Sequence, residues 1–265
     1  MSAPRPAAVA GRFYPDDPDR LLAAVDAYVA AGRPAAGTVS PKAIIAPHAG
    51  YPFSGPIAGS AYAALGAGRR PRVDRVLLLG PAHAWPLPGL AVPSATAFLT
   101  PLGPVPVDAA AVAQLRRFAF VHVADDAHAR EHSLEVQLPF LQRVLPDPFA
   151  IVPVAVGHAT AAQVDAVLEE LWGGDETLIV VSSDLSHYHD YDTAQRLDRA
   201  TSAAIEAMDP EGIGELGACG RLPIQGLLRA AARHGLQATT VDLRSSGDTA
   251  GSRSQVVGYG AYVVC

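Results

Sequence analysis

Ala43-Ile44-Ile45-Ala46-Pro47-His48-Ala49-Gly50-Tyr51 is a short apolar run that ends in a proline, a histidine and a glycine. Arg75-Val76-Leu77-Leu78-Leu79-Gly80-Pro81-Ala82-His83 has the same form. A third version is Thr177-Leu178-Ile179-Val180-Val181, followed by Ser182-Ser183-Asp184-Leu185-Ser186-His187. Unbroken apolar runs of this length, bounded by turn residues, read as strands buried on both faces, the type found in parallel sheets. In an open α/β sheet, ligands bind beyond the carboxyl ends of such strands. Histidines delivered there by different strands can meet at one point, and imidazole is the commonest metal ligand. The alternative is turn histidines that never meet, and spacing alone does not choose between the two.

Working outward, the strands read as 42–46, 73–79 and 177–181, with further strands at 149–156, 239–243 and 256–264. Asp17-Pro18-Asp19 is a helix start, with the helix ending near Gly32. Ser54-Gly55-Pro56 opens a small-residue helix through Ala64, and Asp108 caps one to about Phe118. Residues 134–144 carry a helix-like apolar face interrupted by Pro139, and further helices read at 161–172, 194–208 and 223–234. Strands alternating with helices predict an α/β fold with a central, mostly parallel or mixed sheet flanked by helices. No composition shift, linker or repeat marks a boundary, so residues 1–265 read as a single domain.

The chain is 49% hydrophobic and 17% charged, which is a globular composition. A net charge of -6 gives no basic stripe for nucleic acid. No apolar run reaches the length of a membrane span. The first residues, Met1-Ser2-Ala3-Pro4-Arg5, lack the apolar core of a secretion signal, so a cytoplasmic location is expected. The two cysteines, Cys219 and Cys265, do not suggest a disulfide framework in that compartment.

Several groups carry possible chemistry. Asp184 and His187 are three apart, and a short turn would put them on one side. Asp184 could ligate a metal, orient His187 or cap a following helix. Glu131-His132-Ser133-Leu134-Glu135 opens a helix. Its two acids, at i and i+4, could act in acid/base work, support a histidine or simply suit the helix dipole. Cys219-Gly220-Arg221 enters a helix; a thiol beside an arginine and a helix N-terminus is expected to have a lowered pKa, and the plain alternative is a small buried residue. His122, His128, His158 and His234 have no constellation around them, and His189 reads as solvated. There is no Gly-x-Ser-x-Gly elbow, phosphate-binding loop, dinucleotide fingerprint, His-Glu-x-x-His or Cys-x-x-Cys.

Six phrases together are distinctive: Ala10-Gly11-Arg12-Phe13-Tyr14-Pro15, Ala46-Pro47-His48-Ala49-Gly50-Tyr51, Gly80-Pro81-Ala82-His83, Glu131-His132-Ser133-Leu134-Glu135, Ser182-Ser183-Asp184-Leu185-Ser186-His187 and Cys219-Gly220-Arg221-Leu222-Pro223-Ile224. In order and spacing they resemble the MEMO family, whose prokaryotic members are called AmmeMemoRadiSam system protein B. Arg12-Phe13-Tyr14 and Leu222 vary around the core phrases without touching a proposed ligand.

The resemblance implies a fold similar to class III extradiol dioxygenases, which open catechol rings with non-heme Fe(II) held by two histidines and a carboxylate. It implies His48 and His83 as metal ligands and His187 as the acid/base. Cys219 falls near the expected carboxylate and joins the metal set, with Asp184 and Glu131 tuning these groups and Tyr51 and His132 lining the pocket. A thiolate in place of a carboxylate favours softer metals, so iron or copper is expected, with zinc possible. The leading expectation is a MEMO-like metal-binding protein with redox or oxygenase-type chemistry. One alternative is a ring-cleaving dioxygenase with Asp184 or Glu131 as the missing ligand. The other is a non-catalytic scaffold partnering AMMECR1-like and radical SAM proteins, with no nucleic acid and no membrane span.

Overall fold

Alternation along each central strand divides the core in two. Ile44, Leu78 and Val180 face one apolar layer, while Ile45, Leu77, Leu79, Ile179 and Val181 face the other. All of these side chains are inaccessible to solvent, as expected where helices cover both faces of a sheet. The computed structural model describes residues 3–32, 40–66, 72–145 and 148–265.

In chain order the elements are α1 (Pro18–Ala30), β1 (Ala43–Ala46), α2 (Tyr51–Gly66), β2 (Arg75–Pro81), β3 (Leu90–Val92), β4 (Ala97–Thr100) and β5 (Gly103–Pro106). There follow α3 (Ala109–Leu115), β6 (Val121–Val123), α4 (Asp125–Ala129), a 3-10 turn at Glu135–Gln137, α5 (Leu138–Val144) and β7 (Ala150–Val156). The chain continues with α6 (Ala161–Glu170), β8 (Thr177–Ser182), β9 (His187–His189), α7 (Tyr191–Glu206), α8 (Arg221–Arg233), β10 (Ala238–Ser245), a second 3-10 turn at Ser246–Asp248 and β11 (Val256–Val264).

The main sheet runs β10-β11-β1-β8-β2-β7-β3-β6, with β9 on β11; β4 and β5 form a separate hairpin. Its centre is parallel, since β8 pairs with both β1 and β2, and β2 with β7. β11 joins β1 antiparallel, and β3 joins β7 antiparallel. The α/β class with a central mixed sheet flanked by helices is therefore as expected. Among the described residues no helix is long and apolar enough to cross a membrane.

Three local expectations shift. α2 begins at Tyr51, one turn before Ser54, and Gly55 and Gly59 lie within the helix as a contact surface. A Cβ on either would stand 2.6 Å or 2.3 Å from Tyr28 of α1. Pro139 does not interrupt a helix; it stands in the first turn of α5, where its missing N–H costs nothing. No helix follows Asp184, which therefore caps none; the chain runs instead into the three-residue strand β9.

Candidate metal centre

Because β1, β8 and β2 are adjacent and parallel, the turns after them open at the same edge of the sheet. They carry His48, Asp184 and His83. Two further segments reach this edge: the turn with Glu131 and His132, between α4 and the first 3-10 turn, and Cys219, just before α8. The possible ligand atoms of His48, His83 and His132 all lie within 4.8 Å of one another. The ring centroids of His83 and His132 stack at 4.8 Å, and His48 meets each edge-on.

Hydrogen bonds fix two of these rings. Ser182 Oγ donates its one proton to the Ser133 carbonyl at 2.6 Å, so toward His48 Nδ1, 2.9 Å away, it can only accept. His48 therefore carries its proton on Nδ1 and presents Nε2 as a lone pair. Gln137 Nε2 also donates to Ser182 Oγ at 2.8 Å, which anchors that acceptor. His83 Nδ1 donates to Glu131 Oε1 at 3.0 Å and likewise leaves Nε2 free. Such outer partners are what set the tautomer and direction of metal-binding imidazoles.

Glu131 is buried, and its carboxylate gathers the turns around it. Oε2 accepts from the backbone N–H of His83 (2.5 Å) and Ala84 (3.2 Å). Oε1 accepts from those of His132 and Ser133, both at 2.9 Å. Burial alone would raise its pKa, but the His83 hydrogen bond and charge, with the backbone donors, hold it well below the ordinary carboxylate range. Burial also lowers the pKa of His48 and His132, and for His48 the neighbouring imidazoles act in the same direction. Imidazoles that resist protonation at His48 and His132, beside a fixed anion, are a donor set suited to a divalent cation.

Asp184 is buried and accepts the His48 backbone N–H at 2.7 Å, which pins the turn after β1. Burial raises its pKa, against the pull of that N–H and of His187. It does not orient His187, whose Nδ1 donates to the Leu185 carbonyl at 2.8 Å. His187 instead stands on the cavity wall with Nε2 as its free basic atom.

Cys219 Sγ lies 3.3 Å from His48 Nε2 and accepts the Asp184 N–H at 3.3 Å. With no proton on Nε2, the thiol is the donor in the first contact. The expected depression of its pKa is not found. Burial pushes the thiol up, and the Asp184 charge adds to that, outweighing hydrogen bonds from the Asp184 and Gly220 backbone and from Ser183. The converging group is thus three imidazoles, His132 among them, and Cys219 stands beside His48.

Above the cluster is a cavity of about 680 Å³, lined by His48, His83, His132, Asp184, His187 and Cys219 together with Phe13, Phe53, Tyr188 and Tyr259. Tyr51 is not on its wall. As the first residue of α2 it turns inward, packs against Tyr14, Tyr28 and Phe140, and donates to the Val136 carbonyl at 2.8 Å. Glu131 and Glu135 do not share a face either, because the chain between them is a turn. Glu135 is directed at Arg5, Ala8, Val9 and Tyr14. Ser182, Gln137, Phe13 and Tyr259 were not singled out from sequence. Ser182 lies inside a quoted phrase, whereas Gln137 and Tyr259 carried no signal.

The family model described as "Memo-like protein" matches residues 5–263. A "MEMO1 family protein" of Aquifex aeolicus is 35% identical, covering 96% of this chain and 97% of its own length. Others from Methanopyrus kandleri and Archaeoglobus fulgidus are 36% and 38% identical, the alignments covering 98% and 96% of this chain and 98% and 97% of theirs.

Proposed function

The chain belongs to the Memo-like protein family, and from that footing we propose that it is a metal-binding protein with redox or oxygenase-type chemistry at the histidine cluster. The supporting observation is the convergence of three imidazoles, two of them with Nε2 left unprotonated by fixed tautomers. His48, His83 and His132 would hold the ion, with Cys219 in reach beside His48. Iron or copper is the proposed occupant: imidazole suits both, and the nearby sulfur suits copper in particular. When bound, such a metal supplies one-electron or oxygen chemistry that side chains lack.

The remaining residues have roles that follow from their contacts. Glu131 offsets the charge of the cation and holds His83 in register. Asp184 fixes the turn of His48. His187, with Nδ1 tied to Leu185, accepts or returns a proton at Nε2 on the cavity side. The aromatic wall formed by Phe13, Phe53 and Tyr259 limits water around the reacting group.

Anaerobic titration of metal-free protein with Fe(II) and with Cu(I) tests this reading. The wild type is expected to bind one equivalent of at least one metal, and a His48→Ala/His83→Ala variant to lose it. Uptake of neither metal, or equal uptake by the variant, overturns the proposal.

A further inference from the structure

His132 differs from its two partners in how it is held. His48 is fixed through Ser182 and His83 through Glu131. The ring of His132 makes no hydrogen bond among the described residues; its Nδ1 is 3.4 Å from Glu131 Oε1. It is held by packing, stacked on His83 and set against the ring of Phe13 with centroids 4.7 Å apart.

Phe13 comes from a far part of the chain, and its position is over-determined. Gly11, at φ +75°, closes a turn in which the Arg12 and Phe13 N–H groups both donate to the Val9 carbonyl. The Phe13 carbonyl accepts the Tyr51 N–H at 2.7 Å, which ties the turn to the segment just after His48. The Glu135 carboxylate, fully buried, takes four donors from this one segment: the Ala8 and Val9 N–H groups, the Tyr14 hydroxyl and the Arg5 guanidinium. Arg5 also donates to the carbonyls of His128 and Glu131, at 2.7 Å and 2.6 Å, which bound the turn leading to His132. A buried ion pair satisfied on all sides is a poor source of stability but a good means of fixing geometry.

We infer that residues 5–14 form a positioning arm for the third imidazole: Phe13 sets the orientation of the His132 ring, and the Arg5–Glu135 pair fixes the arm against the turn that carries His132. The arm deepens the metal reading, but its effect on the ring is defined without metal. A residue that merely stabilised the fold would loosen all three imidazoles together or none. The Phe13 side chain acts on His132 alone, because the other two rings have their own hydrogen-bonded anchors.

The test measures side-chain order of the histidine rings by NMR relaxation in the metal-free full-length protein. In Phe13→Ala the His132 ring is expected to become mobile while those of His48 and His83 stay ordered, and Phe13→Tyr is expected to restore it. Co(II) then serves as a metal probe. Phe13→Ala should weaken its binding about 10–100-fold, the usual effect of losing an outer-shell support, and shift its ligand-field spectrum, with recovery in Phe13→Tyr. A His132 ring as ordered in Phe13→Ala as in the wild type overturns the inference, as does equal loosening of all three rings. Wild-type protein that fails to bind Co(II), Fe(II) or Cu(I) counts against the metal reading alone, since ring order still decides the arm. Glu135→Gln should move His132 in the same direction; if that variant does not fold, the Phe13 pair is sufficient.

Discussion

Replacing Glu131 by glutamine changes one oxygen to an amide and leaves the shape almost unaltered, yet the structure predicts a large effect. Both oxygens of Glu131 accept backbone N–H groups: His83 and Ala84 on Oε2, His132 and Ser133 on Oε1. The amide NH2 must therefore face two donors at Oε2, or three at Oε1, where His83 Nδ1 also donates. Leaving a fully buried donor unsatisfied costs about 1–3 kcal/mol; the His83 and Ala84 N–H groups facing Oε2 are part-buried, so the pair together costs on the order of 1–3 kcal/mol, still a sizeable share of the roughly 5–15 kcal/mol that separates folded from unfolded chains. The better orientation puts the NH2 at Oε2, which keeps an acceptor for His83 Nδ1 but removes the negative charge. Urea unfolding of the metal-free protein should show the stability loss. Metal titration of the folded fraction should show affinity lower by about 10–100-fold. A Glu131→Gln variant within about 1 kcal/mol of wild type, with unchanged affinity, would refute the reasoning, because the carboxylate could not then be organising both turns.

Ser182→Ala removes the acceptor of His48 Nδ1 and a partner of Gln137. The Nδ1–H tautomer of His48 should then give way to a mixture visible in 15N spectra, and metal affinity should fall about tenfold or more; an unchanged tautomer counts against the assignment. His128 is buried, donates Nε2–H to the Ala91 carbonyl and has no partner at Nδ1. Burial, reinforced by Arg5, lowers its pKa to about 4 from 6.5. The folded state resists that proton, so this contribution to stability is whole above about pH 6.5 and is lost as pH falls toward 4, by about 3 kcal/mol. Denaturant midpoints measured across that window should fall with acid in the wild type and less so in His128→Gln; equal slopes would contradict the assignment.

The parts of this protein legible in its sequence are those with long, single-minded patterns. The runs at 43–46, 75–79 and 177–181 could only be buried strands, and the order of those strands brings His48, His83 and Asp184 to one edge. Segments of three to five residues, such as β3, β6, β9 and α4, are too short for any periodicity to register. Side-chain direction was less legible than position. Tyr51 and His132 both lie in the quoted phrases, but the early start of α2 carries Tyr51 into the core, whereas a turn leaves His132 facing the cavity. At Cys219 the neighbours in sequence suggest a thiolate, while burial, which sequence does not display, favours the thiol. Gln137 had no local signature, since its role depends on Ser182, a residue brought near only by the fold.

His48 and Cys219, now 3.3 Å apart, are separated by 171 positions along the chain. No fragment spanning one turn alone can assemble such a cage, and an unfolded chain has no comparable affinity for the ion. Any ion the cage accepts thereby becomes a thermodynamic clamp on the whole fold: at one hundred times its dissociation constant it adds about 2.7 kcal/mol, a rise in Tm on the order of 5–10 °C for a chain of this size. Melting curves run with and without a chelator thus report on occupancy, and scarcity of the ion inside a cell would be felt first as a shorter lifetime of the protein itself.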